Sequence, residues 1–188
     1  MIQTHEPEVR PNLSESQIGC APQNVPKDQP ASRPKVDSKQ RPRLGCAGLI
    51  LRGDQVLLGK RNKEPNRGLW VLPGGGIEFC ETFAQTLKRE LLEEAGINVE
   101  VRNIFKTYEL INPPNEHRVI VYLIADHRSG DPVPSSDLSE VRFFNSDELR
   151  ALSKQSLISP FVEKVLREAA FLKTGHGRRR TELFGHQD

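Results

Sequence analysis

Between Trp70 and Gly96 the chain runs through three stretches that tolerate few alternatives. Trp70-Val71-Leu72 is a short apolar run that reads as a strand. Pro73-Gly74-Gly75-Gly76 follows, a stretch almost without side chains that is expected to belong to no regular element. From Cys80 to Ala95 the residues Ala84, Leu87, Leu91 and Ala95 recur at spacings of three and four, the stripe of an amphipathic helix. Gly96 then stands where a helix is most readily stopped. A strand, a bare loop and a helix in succession bring exposed backbone close to the head of a helix.

The helix carries an electrostatic oddity. Glu90, Glu93 and Glu94 lie at i, i+3 and i+4, so their carboxylates are neighbours and repel. They also sit in the last turns, where the helix dipole disfavours anions. Each effect is about a few tenths to one kcal/mol, and Arg89 offsets only part of it. A divalent cation would turn the repulsion into attraction. Carboxylate oxygens suit Mg²⁺ or Mn²⁺ better than zinc, which prefers nitrogen and sulfur. Helix geometry places Glu90 and Glu94 about 40° apart beside the apolar stripe, with Glu93 further toward solvent. The Gly74–Gly76 backbone can approach a ligand closely, turning amides to phosphate oxygens or a carbonyl to a hard ion. Taken singly, the acidic cluster reads as a solvated face and the triple glycine as a tight turn.

The remaining chain supplies a frame. Hydrophobic residues make up 36% of the 188 residues, below a typical globular share, so part of the chain is expected to lie outside the core. That part is residues 1–40. Seven of the fourteen prolines lie at or before Pro42, and no aromatic residue precedes Trp70. Such a segment cannot bury enough apolar area to offset its ordering entropy, and it reads as a disordered extension. Strands are expected at Leu44 to Leu51 and Gln55 to Gly59 around a Gly53-Asp54 turn. Further strands are expected at Val99 to Ile104, Thr107 to Ile111, Arg118 to Ala125 and Val141 to Phe144. One helix should start at a cap on Asn145 or Ser146, and a last one should span about Pro160 to Leu172. The domain is therefore set at 43–173, followed by a flexible basic tail, 174–188, containing Arg178-Arg179-Arg180.

The net charge of +2 gives no overall field toward DNA or a membrane. Neither a secretory leader nor a membrane-length apolar stretch is legible. Cys20, Cys46 and Cys80 have no metal-ligand spacing and read as reduced thiols. The expectation is a cytoplasmic protein acting on a small-molecule nucleotide, with no DNA or membrane partner and a homodimer left open.

The segment from Gly75 to Ile97, GGIEFCETFAQTLKRELLEEAGI, resembles the Nudix box at every specified position: Gly75, Glu81, Arg89, Glu90, Leu91, Glu93, Glu94, Gly96 and Ile97. Gly68 to Gly74 is also similar to that family's approach to the box, and a looser likeness extends from about Arg43 to Leu152. The resemblance implies an α/β fold, an α/β/α sandwich around a mixed curved sheet. It implies Mg²⁺, with Mn²⁺ able to substitute, held by Glu90 and Glu94 with Glu93 in support and the Gly75 carbonyl as a backbone ligand. Glu81 and Arg89 would brace the loop, with Gly96 closing the helix, and Glu81 would also be within reach of the metal through water.

The implied reaction is attack of water on a pyrophosphate linkage in a nucleoside diphosphate joined to a further group. Glu90 is the first choice of base, with Glu93 and Arg89 in the same machinery and Glu116 and Glu140 as later candidates. Lys60, Arg61, Gly74 and Gly76 are expected near phosphate, and Trp70 is a candidate to stack on a base although an interior position is its ordinary reading. Pro113 lies where ADP-ribose-cleaving members often carry proline. ADP-ribose and a nucleoside triphosphate lead as substrates. The alternatives are a non-catalytic nucleotide-sensing regulator and an RNA 5′-end pyrophosphohydrolase using the arginine triplet.

Overall fold

The computed structural model describes residues 41–112, 114 and 116–172. The expected extension 1–40, Pro113 and the basic tail lie outside the described residues. In chain order the elements are β1 (Arg43–Arg52), β2 (Gln55–Arg61), β3 (Trp70–Val71), β4 (Gly74–Gly76), α1 (Phe83–Ala95), β5 (Asn98–Asn112), β6 (Glu116–Ser129), β7 (Leu138–Phe144), α2 (Ser146–Lys154) and α3 (Pro160–Glu168).

All seven strands form one sheet, and β1 is its hub. Cys46 to Leu51 are buried without alternation, as befits a strand covered on both faces. One edge of β1 runs parallel to β6, from Arg43 opposite Arg118 to Leu51 opposite Asp126. The other edge is divided. Leu51 and Arg52 pair with Val56 and Gln55 of β2 through the expected Gly53-Asp54 turn, whereas Gly45, Cys46 and Ala47 pair with Gly76, Gly75 and Gly74 of β4. Strand β2 pairs antiparallel with β3 and β7, and β5 with β6. One parallel pair among antiparallel ones makes the sheet mixed, as the resemblance implied.

Helices cover both faces. A side chain at Gly48 would run into Leu87 of α1. On β6, Tyr122 is in register with Ala47, which points to the opposite face, and its ring lies 6.2 Å from that of Phe161 on α3. The α1 stripe is sealed: Leu87, Leu91 and Ala95 are fully buried, each leucine contributing about 1.5–3 kcal/mol.

Four expectations are corrected. The Pro73–Gly76 stretch is not wholly irregular, because Gly74–Gly76 forms β4; without side chains its backbone can lie flat against β1. Helix α1 starts at Phe83, not Cys80. Cys80 has φ 67°, and Thr82 caps the helix through a reciprocal box with Gln85, whose N–H donates to Thr82 Oγ1 at 3.2 Å. Thr-x-x-Gln was a readable start signal. The two strands expected between Val99 and Ile111 are one strand, β5, kept continuous by three register shifts, since a bulge lets the apolar phase change without ending the strand. The last helix stops at Glu168; Ala170 takes φ 63°, and Phe171 and Leu172 turn back into the core. Asn145 caps α2 as expected, accepting the N–H groups of Asp147 and Glu148 at 2.9 Å. No helix among the described residues is long and apolar enough to cross a membrane.

Candidate active site

The site is built where the divided edge of β1 hands over to the glycine strand. Gly48 N–H donates to the Pro73 carbonyl at 3.0 Å, and β4 then lies against β1 so closely that no side chain fits at Gly74. A Cβ on Gly74 would stand 2.3 Å from the Cys46 carbonyl oxygen, and Gly74 also has φ 146°. A Cβ on Gly75 would stand 2.2 Å from Glu90 Oε1. These two glycines are required by close approach, one to strand backbone and one to a carboxylate.

Helix α1 supplies the opposing groups. It ends on Gly96, whose N–H donates to the Leu92 carbonyl at 3.1 Å with φ 67°. Its C-terminal carbonyls are further met by a later loop: Ser135 N–H donates to the Glu94 carbonyl and Val133 N–H to that of Ala95, both at 3.0 Å. The Glu94 end of the helix is thus fixed from both sides of the sequence. The Glu94 side chain accepts the Gly74 N–H at 3.2 Å and is only 6% exposed. Burial pushes its carboxyl up to about 7, with Glu90 and Asp137 acting in the same direction and the Gly74 amide and Arg61 opposing.

Glu90 is bound differently. Its Oε1 accepts Arg89 Nη1 at 2.9 Å. The same guanidinium forks onto Glu81, Nε to Oε1 at 2.7 Å and Nη2 to Oε2 at 2.9 Å, and Nη2 also donates to the Gly76 carbonyl at 3.1 Å. Arg89 therefore ties the glycine strand, the helix entry and Glu90 together. The fork holds the Glu81 carboxyl down at about 2. Glu93 is exposed and meets Arg89 only at 3.5 Å.

A cleft of about 690 Å³ runs past Gly74–Gly76, Glu90 and Glu94. Arg61 lines it, 3.7 Å from Asp137 Oδ2. Glu116 lines it too, with Arg118 Nε 2.8 Å from its Oε1, although that N–H is not aimed to form a hydrogen bond. The structure therefore gathers Glu90, Glu94, Gly74, Gly75, Gly76, Arg61 and Glu116 around one space. It does not bring Trp70 there. Trp70 is 5% exposed and packs edge-on against Phe144 at a ring distance of 4.7 Å, so it is a core residue unable to stack on a base. Lys60 and Glu140 pair with one another at 2.7 Å across β2 and β7 and do not line the cleft.

Sequence reading missed Asp137 and the apolar wall of Leu110, Ile120, Tyr122 and Phe161. Asp137 sits in a Pro- and Ser-rich loop that signals a turn only. The wall comes from the β5–β6 pair and the distant α3, and no local spacing announces it.

The donor set fits a hard divalent ion. Glu94 is a desolvated carboxylate beside a second one, with a single backbone N–H to it, which is the imbalance a cation relieves. No group of three or more carboxylate, histidine or cysteine side chains forms a ready cage among the described residues. A hard ion such as Mg²⁺ takes one or two carboxylates and completes its shell with water and substrate phosphate.

The NUDIX domain family matches residues 40–166. An ADP-ribose pyrophosphatase of Methanocaldococcus jannaschii is 30% identical over 113 residues, 60% of this chain and 67% of that protein. An NAD-capped RNA hydrolase NudC of Haemophilus influenzae is 30% identical over 109 residues, 55% of this chain; the match spans only 40% of that relative's length. Among solved structures, a MutT NUDIX hydrolase from Burkholderia pseudomallei superposes with a TM-score of 0.60 at 28% identity, covering 68% of this chain and 97% of that one.

Proposed function

Because this chain belongs to the Nudix family, we propose that it hydrolyses, with Mg²⁺, a pyrophosphate bond in a nucleoside diphosphate linked to a further group. ADP-ribose is the leading substrate and a nucleoside triphosphate the next. The observation that carries the reading is the joint placement of Glu90 and Glu94 against the side-chain-free Gly74–Gly75 backbone in one cleft. Two linked phosphates need positive charge on one side and backbone close enough to touch on the other. The glycine backbone offers the second, and a cation held by the two carboxylates would supply the first.

Glu90, Glu94 and the Gly75 carbonyl are the residues that would hold the metal, with exposed Glu93 in support. When bound there, such an ion would supply positive charge for phosphate oxygens and a lowered pKa for water. Glu90 is the proton acceptor, because its carboxylate faces the glycine strand and is oriented by Arg89. Glu116, on the opposite wall, is the reserve candidate. Arg61 meets the outer phosphate at the cleft mouth, steered by Asp137. The apolar wall receives the group beyond the pyrophosphate. The likeness to the M. jannaschii ADP-ribose pyrophosphatase supports ADP-ribose for that group.

The test is turnover of purified full-length protein on ADP-ribose, canonical and oxidised nucleoside triphosphates, sugar nucleotides and NAD-capped RNA. In ¹⁸O water, ADP-ribose should give AMP and ribose 5-phosphate with label on one phosphoryl group, and EDTA should stop the reaction. Activity confined to phosphomonoesters, or indifferent to EDTA, would overturn the reading.

A further inference from the structure

Thr86 lies on α1 between the cap and Arg89, fully buried, at a position where the nine-residue signature specifies nothing. Packing alone would be served by alanine or valine, and a buried hydroxyl is costly unless it bonds. Its Oγ1 lies 2.8 Å from Glu81 Oε2 and 3.1 Å from the Thr82 carbonyl. That carbonyl already accepts the Thr86 N–H at 3.0 Å. The single hydroxyl proton goes to the shorter and charged acceptor, Glu81.

Glu81 accepts Arg89 Nε and Nη2, the Thr86 hydroxyl and the Glu78 N–H, the last at 3.1 Å. Three of these donors meet Oε2 and only Arg89 Nε meets Oε1, so the carboxylate is pinned through Oε2 while its other oxygen faces the guanidinium. The fixed carboxylate sets the Arg89 fork, and the fork sets Glu90 at 2.9 Å.

We propose that Thr86 is a positioning residue for the hydrolysis: its hydroxyl locks Glu81 onto Arg89, and through Arg89 it aligns Glu90 against Gly75. This rests on the reading of Glu90 as a metal-holding group. The probe is Thr86→Val, which keeps shape and burial but removes the proton, compared with Thr86→Ser, which restores it. Thr86→Val should melt within a few degrees of wild type. It should lower kcat roughly tenfold, the effect of one lost bond to a charged group, with KM unchanged. It should also weaken Mn²⁺ binding to the substrate-free full chain, read by electron paramagnetic resonance. Thr86→Ser should recover most of both. In an Arg89→Ala background Thr86→Val should add little, since the link it works through is gone.

The proposal is overturned if wild type is active and Thr86→Val equals it. It is equally overturned if Thr86→Ser is as impaired as Thr86→Val, or if the two losses multiply in the Arg89→Ala background. Failure of the underlying reading looks different: wild type itself neither binds Mn²⁺ nor cleaves any nucleotide pyrophosphate, and the positioning role falls with it.

Discussion

Gly75 and Glu90 compete for one volume: a methyl group on the glycine would stand 2.2 Å from one carboxylate oxygen and 2.6 Å from the other. The strand and the helix are therefore matched at this point by the absence of a side chain. Gly75→Ala should displace Glu90 and cut kcat by about a hundredfold or more, the scale of losing one aligned group, while the chain still folds. Steady-state kinetics beside a thermal melt check it, and near-normal kcat would show that Glu90 need not be where it is found.

Glu94→Gln should nearly abolish turnover while leaving the metal-free fold as stable as before or more so. The amide oxygen can still accept the Gly74 N–H, and the buried charge is gone. The pH dependence follows from the sign of the shift. The folded pKa, about 7, lies above the unfolded value of about 4.3. The folded chain therefore holds this proton more tightly. Its favourable contribution is complete below about pH 4.3 and is lost as pH rises through 7, amounting to at most about 4 kcal/mol. Wild type in EDTA should thus lose melting temperature between pH 5 and 8, and Glu94→Gln should lose less. Parallel curves would refute the burial of a titrating carboxyl.

Arg89→Lys keeps the charge but not the fork. A lysine cannot give two parallel bonds to Glu81 and reach both Gly76 and Glu90. Turnover should fall at least tenfold, more in kcat than in KM. A lysine variant with wild-type kcat would mean that charge alone suffices at this position.

Trp70→Phe should change stability and leave KM alone. The ring is buried against Phe144, and the phenyl substitution trims core packing by about 1–2 kcal/mol. A KM raised several-fold for nucleotides, with an unchanged melt, would return Trp70 to the substrate site.

Removal of residues 1–38 should leave kcat and KM unchanged, because the family match begins at residue 40 and every group assigned to the cleft lies beyond it. A folded but inactive truncation would show that the extension takes part in the site.

The sequence announced the parts of this site that are local. Glu90 and Glu94 were legible because helix periodicity places them together. Gly74 and Gly75 were legible because few other uses need consecutive glycines before a helix. Asn145 was legible because a cap needs only its own turn. Features that depend on distant partners were not. Whether Trp70 faces the cleft or the core depends on Phe144, far along the chain. Asp137 matters because its loop, tied to the end of α1, sets it beside Arg61, which is distant in sequence. Even the β4 pairing was hidden, since glycines carry no strand propensity and the partner that draws Gly74–Gly76 into the sheet is β1.

The divided edge of β1 has a kinetic corollary. The glycine strand is paired with the most enclosed strand of the sheet, not with a surface loop, so it cannot open by local fraying. In deuterium oxide the Gly48 amide, bonded to Pro73, should exchange as slowly as the amides of Leu49 and Ile50. Heat should then abolish activity and the sheet in a single event, with the inactivation curve lying on the melting curve and no temperature window in which the domain is intact but the site has loosened.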